Sequence, residues 1–461
     1  MQPTIGLEIH VQLKTKTKMF CRCTLAPDGA TPNAYTCPIC WGYPGTLPFP
    51  NCEAIKMTVM LGTYLGGTIA SHTKFDRKHY FYPDLPKGYQ ISQYNQPLVE
   101  GGSVPVLIEG HVRSFELERI HLEEDAGKLL HSQGGTIVDL NRAGTPLVEI
   151  VTKPVFHSPF EARAFLQGLR LIVRRLGISD ADMEKGHLRC DANISVSGSD
   201  EHGVPVEIKN INSFAFVESA LSYEIERQSK LVQAGKAIVK ETRGFDEHKN
   251  ITVSQRTKES APDYRYFSEP DIPPFDAREF IEEKVKIALP TDEFAALKKE
   301  FPQCSSEELG LLVNRSSSKE QDWVAVFRAA SKRARAEGVL AWMLHRGIGV
   351  SLESATLAAF VEGVERLGIS TREAQEIIAK IHSGEKVETL LEKHASELVS
   401  EDDLKRGVRT VIQKNPQAWA DLKAGKVRAQ GYLIGQLSRT QKGKIDPRRV
   451  SEIIGILLKE E

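Results

Sequence analysis

Gly6-Leu7-Glu8-Ile9-His10-Val11-Gln12-Leu13 alternates without a break between two kinds of side chain. A strict period of two is the pattern of a half-buried β-strand. Glu8, His10 and Gln12 then share one face, and Leu7, Ile9, Val11 and Leu13 the other, toward a core. The same period recurs further along. In His111 to Asp125 it sets Phe115, Leu117, Arg119, His121 and Glu123 on one face. In Leu188 to Val196 it sets Arg189, Asp191, Asn193 and Ser195 against Cys190, Ala192, Ile194 and Val196. Helical spacing appears between these segments, over Glu53 to Leu65 and Phe160 to Leu176. The expectation is an α+β domain built on a mainly antiparallel sheet.

At 461 residues the chain exceeds one ordinary core, so two or three domains are expected. Pro270, Pro273 and Pro274 interrupt regular structure, and the texture beyond them changes. Ser305-x-x-Glu308 and Ser370-x-x-Glu373 read as capping boxes opening helices. Leu404 to Trp419, Gly425 to Arg439 and Pro447 to Lys459 read as a final helical unit. The expected division is 1–290, 291–395 and 396–461.

Composition is that of a globular protein, 41% hydrophobic and 26% charged, with a net charge of −1. That balance hides an asymmetry. From Lys405 to Glu461 there are 13 Lys/Arg against 5 Asp/Glu, a local charge of +8, so the preceding 404 residues carry −9. A positive tail on a negative body suits a polyanionic partner. No apolar run approaches the length of a membrane span. The chain enters its strand pattern at once, with no secretory or transit segment, and its seven cysteines suit metal binding better than disulfides. The expected compartment is a reducing cytoplasm.

Cys21-Arg22-Cys23 and Cys37-Pro38-Ile39-Cys40 are separated by thirteen residues. Four thiolates in two close pairs suit tetrahedral zinc, a closed shell with a structural role. Cys52, Cys190 and Cys304 lack partners at ligand spacing and read as core residues.

Glu8 and His10 suit a hard cation such as Mg²⁺. Alone they also fit a merely solvated strand face. Glu149 strengthens the case, because it interrupts the apolar run Pro146 to Val151, where an unpaired carboxylate is costly. If these strands are neighbours, carboxylates and a histidine converge near Arg189, Asp191, Asn193 and the Glu207/Lys209 pair. Such a site could hold Mg²⁺ against a nucleotide's phosphates. There is no phosphate-binding Gly-x-x-x-x-Gly-Lys-Ser/Thr loop, so any ATP must be held by a sheet and a metal. Residues 76–97, DRKHYFYPDLPKGYQISQYNQP, are dense in aromatic rings and prolines. Tyr80, Phe81, Tyr82 and Tyr89 could stack on a base or ribose, with Lys78 and Lys87 on phosphate. They fit equally a loop packed on the sheet.

Taken in order, GLEIHVQL, the cysteine quartet, YFYPDLPKGYQISQYNQP, HLEEDAGK, NRAGTPLVEIVTKP, LRCDANISVS, TRGFDE and DYRYFSEPDIPP resemble the B subunits of the tRNA-dependent amidotransferases. The segment NPQAWADLKAGKVRAQGYLIGQL resembles the family's small tail domain. TVSQRTKESAPDYRYF departs modestly from the family's usual wording. The resemblance implies a cradle-like first domain with a kinase and transamidase site, then helical and tail domains gripping tRNA. It implies Mg²⁺ on Glu8, His10, Glu123 and Glu149, with Glu124 as the alternative to Glu123, and zinc on Cys21, Cys23, Cys37 and Cys40. Tyr82, Lys87, Tyr89, Arg189, Asp191, Asn193 and Lys209 become candidates for nucleotide or substrate contact. Lys423, Lys426, Arg428 and Arg439 become candidates for tRNA contact.

The implied reaction is ATP-dependent amidation of Glu-tRNA(Gln) or Asp-tRNA(Asn). No glutaminase signature is evident: residue 2 is Gln2, and there is no Gly-Gly-Ser-Ser run. The implied ammonia source is a partner amidase A subunit, with a small C subunit completing a heterotrimer. Two other readings of the residues stand beside this one. One is a zinc-containing tRNA-binding scaffold without activity of its own; the other is a metallohydrolase using Glu8 and His10.

Overall fold

The computed structural model describes residues 1–132, 134–198, 203–257, 264–282, 287–316, 322–440 and 445–460. Part of the segment that departs from the family wording, residues 258–263, lies outside these. The chain divides into two compact units, Met1–Glu300 and Phe301–Glu461.

The first unit is organised around strand Gln2–Gln12, which holds a central position in a ten-stranded sheet. Its neighbours are Pro146–Thr152 on one side and Leu188–Ser197 on the other, both antiparallel. Pro146–Thr152 continues to His111–Glu124, and Leu188–Ser197 to Val206–Ile211. Only the pairing of Val206–Ile211 with Glu241–Asp246 is parallel among the described ladders. The alternation read in the first strand is realised, whereas in His111–Glu124 it breaks at an irregularity, since Phe115 and Leu117 are buried in the core together with Ile120 and Leu122 and do not share the face of His121 and Glu123. Ile5, Leu7, Ile9, Val11 and Leu13 are at most 2% exposed. They join one core with helices Pro159–Arg175 and Phe214–Gln233. Ser158 and Ser213 cap those helices by accepting backbone N–H bonds, satisfying donors that the first turn leaves free. With apolar side chains committed to that face, the polar set of the first strand lies on the other.

A smaller sheet orders Phe267–Ser268, Asp76–His79 and Tyr89–Ser92. Two of its three strands come from the aromatic, proline-rich stretch. Gln93 ties it to the large sheet, its Oε1 accepting from the Leu122 amide at 3.0 Å.

The second unit is helical. At Ser370 the capping box is complete, whereas at Ser305 the serine accepts from Glu308 N without the reciprocal bond. Helices Glu401–Lys414, Pro416–Lys423, Arg428–Thr440 and Pro447–Glu460 enclose a core of their own around Leu404, Val408, Trp419, Leu433 and Val450. The expected single helix over Leu404 to Trp419 is two, broken at Asn415. Pro416 has no N–H to continue the ladder and disfavours helical geometry in the residue before it. Asn415 takes φ −130° and ψ 60°. No described helix is long and apolar enough to cross a membrane.

Candidate active site

Strand register assembles the polar face. His10 lies opposite Glu149 on one side and Arg189 on the other, and Glu149 lies opposite His121. Directly opposed residues share a face, so Arg189, His10, Glu149 and His121 form one row across four strands. Glu8 sits one step along, opposite Asp191. Glu123, two residues after His121, completes the cluster.

His10 is its centre. Its Nε2 lies 3.5 Å from Glu149 Oε2, 3.6 Å from Glu8 Oε1 and 3.7 Å from Glu123 Oε1. His121 Nε2 approaches the same Glu149 oxygen at 3.2 Å. Ser92 donates to the second oxygen of Glu123 at 3.2 Å. Charge is concentrated here. Burial first, then Glu149, raises the carboxyls of Glu8 and Glu123. Burial would also raise Glu149, but His121 and His10 hold it well below the usual range. Burial opposes protonation of His10, yet Glu149, Glu123 and Glu8 push its pKa up to about 9. Three carboxylates crowd one imidazole, and a divalent ion would offset their charge.

The donor set fits such an ion. Oxygen and nitrogen ligands about 2.1 Å from a cation lie about 3 Å apart when adjacent and about 4.2 Å when opposite. The separations around His10 fall between those limits. Glu8, His10 and Glu149 offer atoms within 4.8 Å of one another, as do His121, Glu123 and Glu149. Glu124 points elsewhere. Its carboxylate accepts from Lys87 Nζ and, at 3.0 Å, from the Ile91 amide.

His10 and Arg189 of the row, with Glu8 and Glu123, line a cleft of about 620 Å³. Arg189, Asp191 and Lys209 line it, together with Lys78, Tyr264 and Asp125. Lys209 is paired with Asp191 and, at 3.2 Å, with Glu207. Lys78 Nζ lies 4.8 Å above the Tyr264 ring, and despite burial the carboxylates of Glu123 and Glu149 raise its pKa. The other nucleotide candidates lie outside the lining. Tyr82 is exposed and stacks on Tyr80, Tyr89 packs under Arg77 at 4.3 Å, Lys87 goes to Glu124, and Asn193 pairs with Gly6 and Glu207 in the ladder.

The sequence names neither His121 as a ligand nor Asp125 as a site residue. His121 shares the period-two face of Glu123, which is a usable signal. Asp125 follows two glutamates at a strand end, where parity stops being informative.

The four cysteines Cys21, Cys23, Cys37 and Cys40 are free and offer sulfurs within 4.8 Å of one another. Cys40 Sγ is 3.7 Å from Cys21 and 3.8 Å from both Cys37 and Cys23. A tetrahedron with Zn–S bonds of about 2.3 Å has edges of about 3.8 Å. Lys18, wholly buried, sets its Nζ 3.5 Å from Cys40 Sγ. The group is compatible with structural zinc. The candidate tail cations Lys423, Lys426, Arg428 and Arg439 are all exposed. Lys426 pairs with Asp421 at 2.9 Å, and Lys423 lies 5.6 Å from the Trp419 ring.

Residues 3–282 match the family described as GatB/GatE catalytic domain, and 328–458 the GatB domain. The chain is 42% identical to the B subunit of the aspartyl/glutamyl-tRNA(Asn/Gln) amidotransferase of Thermomicrobium roseum, over 97% of this chain and 96% of that one. It is 40% identical to the protein of that name from Thermodesulfovibrio yellowstonii, over 100% and 99%, and 41% identical to one from Thermus thermophilus, over 98% of each.

Proposed function

The chain belongs to the family of tRNA-dependent amidotransferase B subunits, and from that membership we propose a two-step amidation carried out in the Met1–Glu300 unit. In the first step a side-chain carboxylate of tRNA-bound Glu or Asp attacks the γ-phosphorus of ATP. The bond to the β-phosphate oxygen breaks and ADP leaves. In the second, ammonia attacks the acyl-phosphate carbon, the C–O bond breaks, and inorganic phosphate leaves as the nitrogen gives up a proton. Activation is needed because a free carboxylate in water does not accept ammonia.

One observation carries the reading: the convergence of the Glu8, Glu123 and Glu149 carboxylates on His10 at the edge of the cleft. These four residues would hold Mg²⁺. When bound, Mg²⁺ supplies charge neutralisation and alignment for phosphoryl transfer. His121 fixes the Glu149 carboxylate from behind, and Ser92 fixes Glu123. Arg189, Asp191 and Lys209 contact nucleotide or substrate from the cleft wall, while Tyr82, Lys87, Tyr89 and Asn193 act from its margin.

The cysteine quartet holds structural zinc. Ammonia comes from a partner amidase A subunit, and a small C subunit completes the complex. The functional division is a cradle over 1–290, a helical domain over 291–395 and a tRNA-binding tail over 396–461. The tail's separate core and its exposed Lys423, Lys426, Arg428 and Arg439 support that assignment. A non-catalytic scaffold leaves the carboxylate row without a purpose.

Isotope transfer tests the chemistry. With oxygen-18 in the side-chain carboxyl of Glu-tRNA, the assembled enzyme should deliver label into inorganic phosphate. Phosphate free of label would exclude an acyl-phosphate intermediate.

A further inference from the structure

Asp125 directly follows the strand that carries Glu123, and it is 3% exposed. Its backbone is pinned on both sides, the N–H donating to Thr145 O at 2.8 Å and the carbonyl accepting from Gly144 N at 2.9 Å. Its Oδ1 accepts from the Ala126 amide at 2.9 Å. Its Oδ2 gathers three side chains: Arg189 Nη2 at 2.5 Å, Gln12 Nε2 at 3.2 Å and Arg142 Nε at 3.5 Å. Arg142 is itself anchored, donating to the carbonyls of Ala126 and Gly127 at 3.0 and 2.8 Å. Gln12 comes from the same strand face as Glu8 and His10. A rigid carboxylate therefore grips one nitrogen of Arg189.

Arg189 is the cross-strand neighbour of His10. The other cations of the cleft are differently occupied, Lys209 by Asp191 and Glu207 and Lys78 by the Tyr264 ring. Among the described residues, the buried Nε of Arg189 has no hydrogen-bond partner. A guanidinium offers five donors in a fixed fork, and holding it in one rotamer removes its side-chain entropy in advance. Such a group suits a transferring phosphoryl group, whose charge is spread over three oxygens.

We propose that Asp125 is a positioning residue that holds the Arg189 guanidinium ready for the transferred phosphoryl group. Arg189 donates to the phosphoryl oxygens, and Asp125 touches neither nucleotide nor carboxyl. The proposal rests on the reading of Arg189 as a substrate contact.

The test uses the assembled amidotransferase and reads kcat and KM for ATP in Glu-tRNA-dependent ATP hydrolysis. D125N should lower kcat about ten- to a hundredfold with KM changed less than about threefold, a loss of about 1.4 to 2.8 kcal/mol of transition-state stabilisation. In an R189A background, D125N should cost nothing further. Methylguanidine should restore part of the R189A rate, and that rescue should vanish when D125N is added. R189K, which keeps the charge but shortens the reach to Asp125, should lose kcat as D125N does, and serves if D125N fails to fold. Equal losses from D125N with and without R189A would overturn the proposal, as would rescue indifferent to D125N or full kcat in R189K. Full kcat in R189A is a different failure, one that removes Arg189 from substrate contact altogether.

Discussion

His10 and His121 hold the same oxygen of Glu149 from opposite sides, at 3.5 and 3.2 Å. A carboxylate fixed in this way cannot rotate to relieve its contacts with Glu8 and Glu123. The strands thus preassemble a concentration of negative charge that a small dication matches.

Adjacent glutamates should separate cleanly. Glu123 reaches the row, whereas Glu124 reaches Lys87 and the Ile91 amide. E123Q is expected to weaken divalent-ion affinity at least about tenfold. E124Q should leave it within about threefold, since only a ligand contributes directly to the bond. Titration of each variant with Mn²⁺ by electron paramagnetic resonance reads the difference, and equal losses would refute the assignment.

Zinc content gives a second expectation. The purified chain should carry one zinc per molecule, and Cys37→Ala should lose it. With the thiolates left unshielded, the melting temperature should fall by several degrees. A Cys37→Ala protein that is metal-free and melts as the parent does would argue against a structural metal.

Gly42, in the cysteine loop, reports on how that loop packs against the backbone at Lys87. Its φ is +65°, and an added Cβ would sit 3.0 Å from Lys87 N and 3.1 Å from Lys87 Cα. Gly42→Ala combines left-handed strain with a backbone clash and should cost about 1–3 kcal/mol. Denaturant unfolding of the Met1–Glu300 transition measures this, and an unchanged midpoint would show that the loop has room to move.

For the tail, exposed cations should act through phosphate contacts. Neutralising Lys423, Lys426, Arg428 and Arg439 together should weaken tRNA binding. The slope of log affinity against log salt should become shallower by about 0.7–0.9 for each phosphate that is no longer neutralised. An identical slope in the quadruple variant would place tRNA contact elsewhere.

Much of this is legible in the sequence, and the reasons are local. Period-two alternation sets Glu8 with His10 and Arg189 with Asp191, because a strand leaves no other geometry. Glu149 stands out because a carboxylate in an apolar run needs partners. Adjacency is not legible: the pairing of Gln2–Gln12 with both Pro146–Thr152 and Leu188–Ser197 joins segments more than a hundred residues apart. For the same reason Asp125 carries no signal, since its partners Gln12, Arg142 and Arg189 come from three separate segments. The break at Pro416 is easily read through, because the apolar spacing on either side is nearly in phase.

The central claim is that the carboxylate–histidine row is the reacting site. Its most direct test is Glu-tRNA-dependent ATP hydrolysis by the assembled enzyme carrying Glu149→Gln or His10→Ala, at saturating Mg²⁺. Each variant should fold normally and lose about a thousandfold in rate, on the order of 4 kcal/mol of transition-state stabilisation. A rate within about twofold of the parent in either variant would contradict the account.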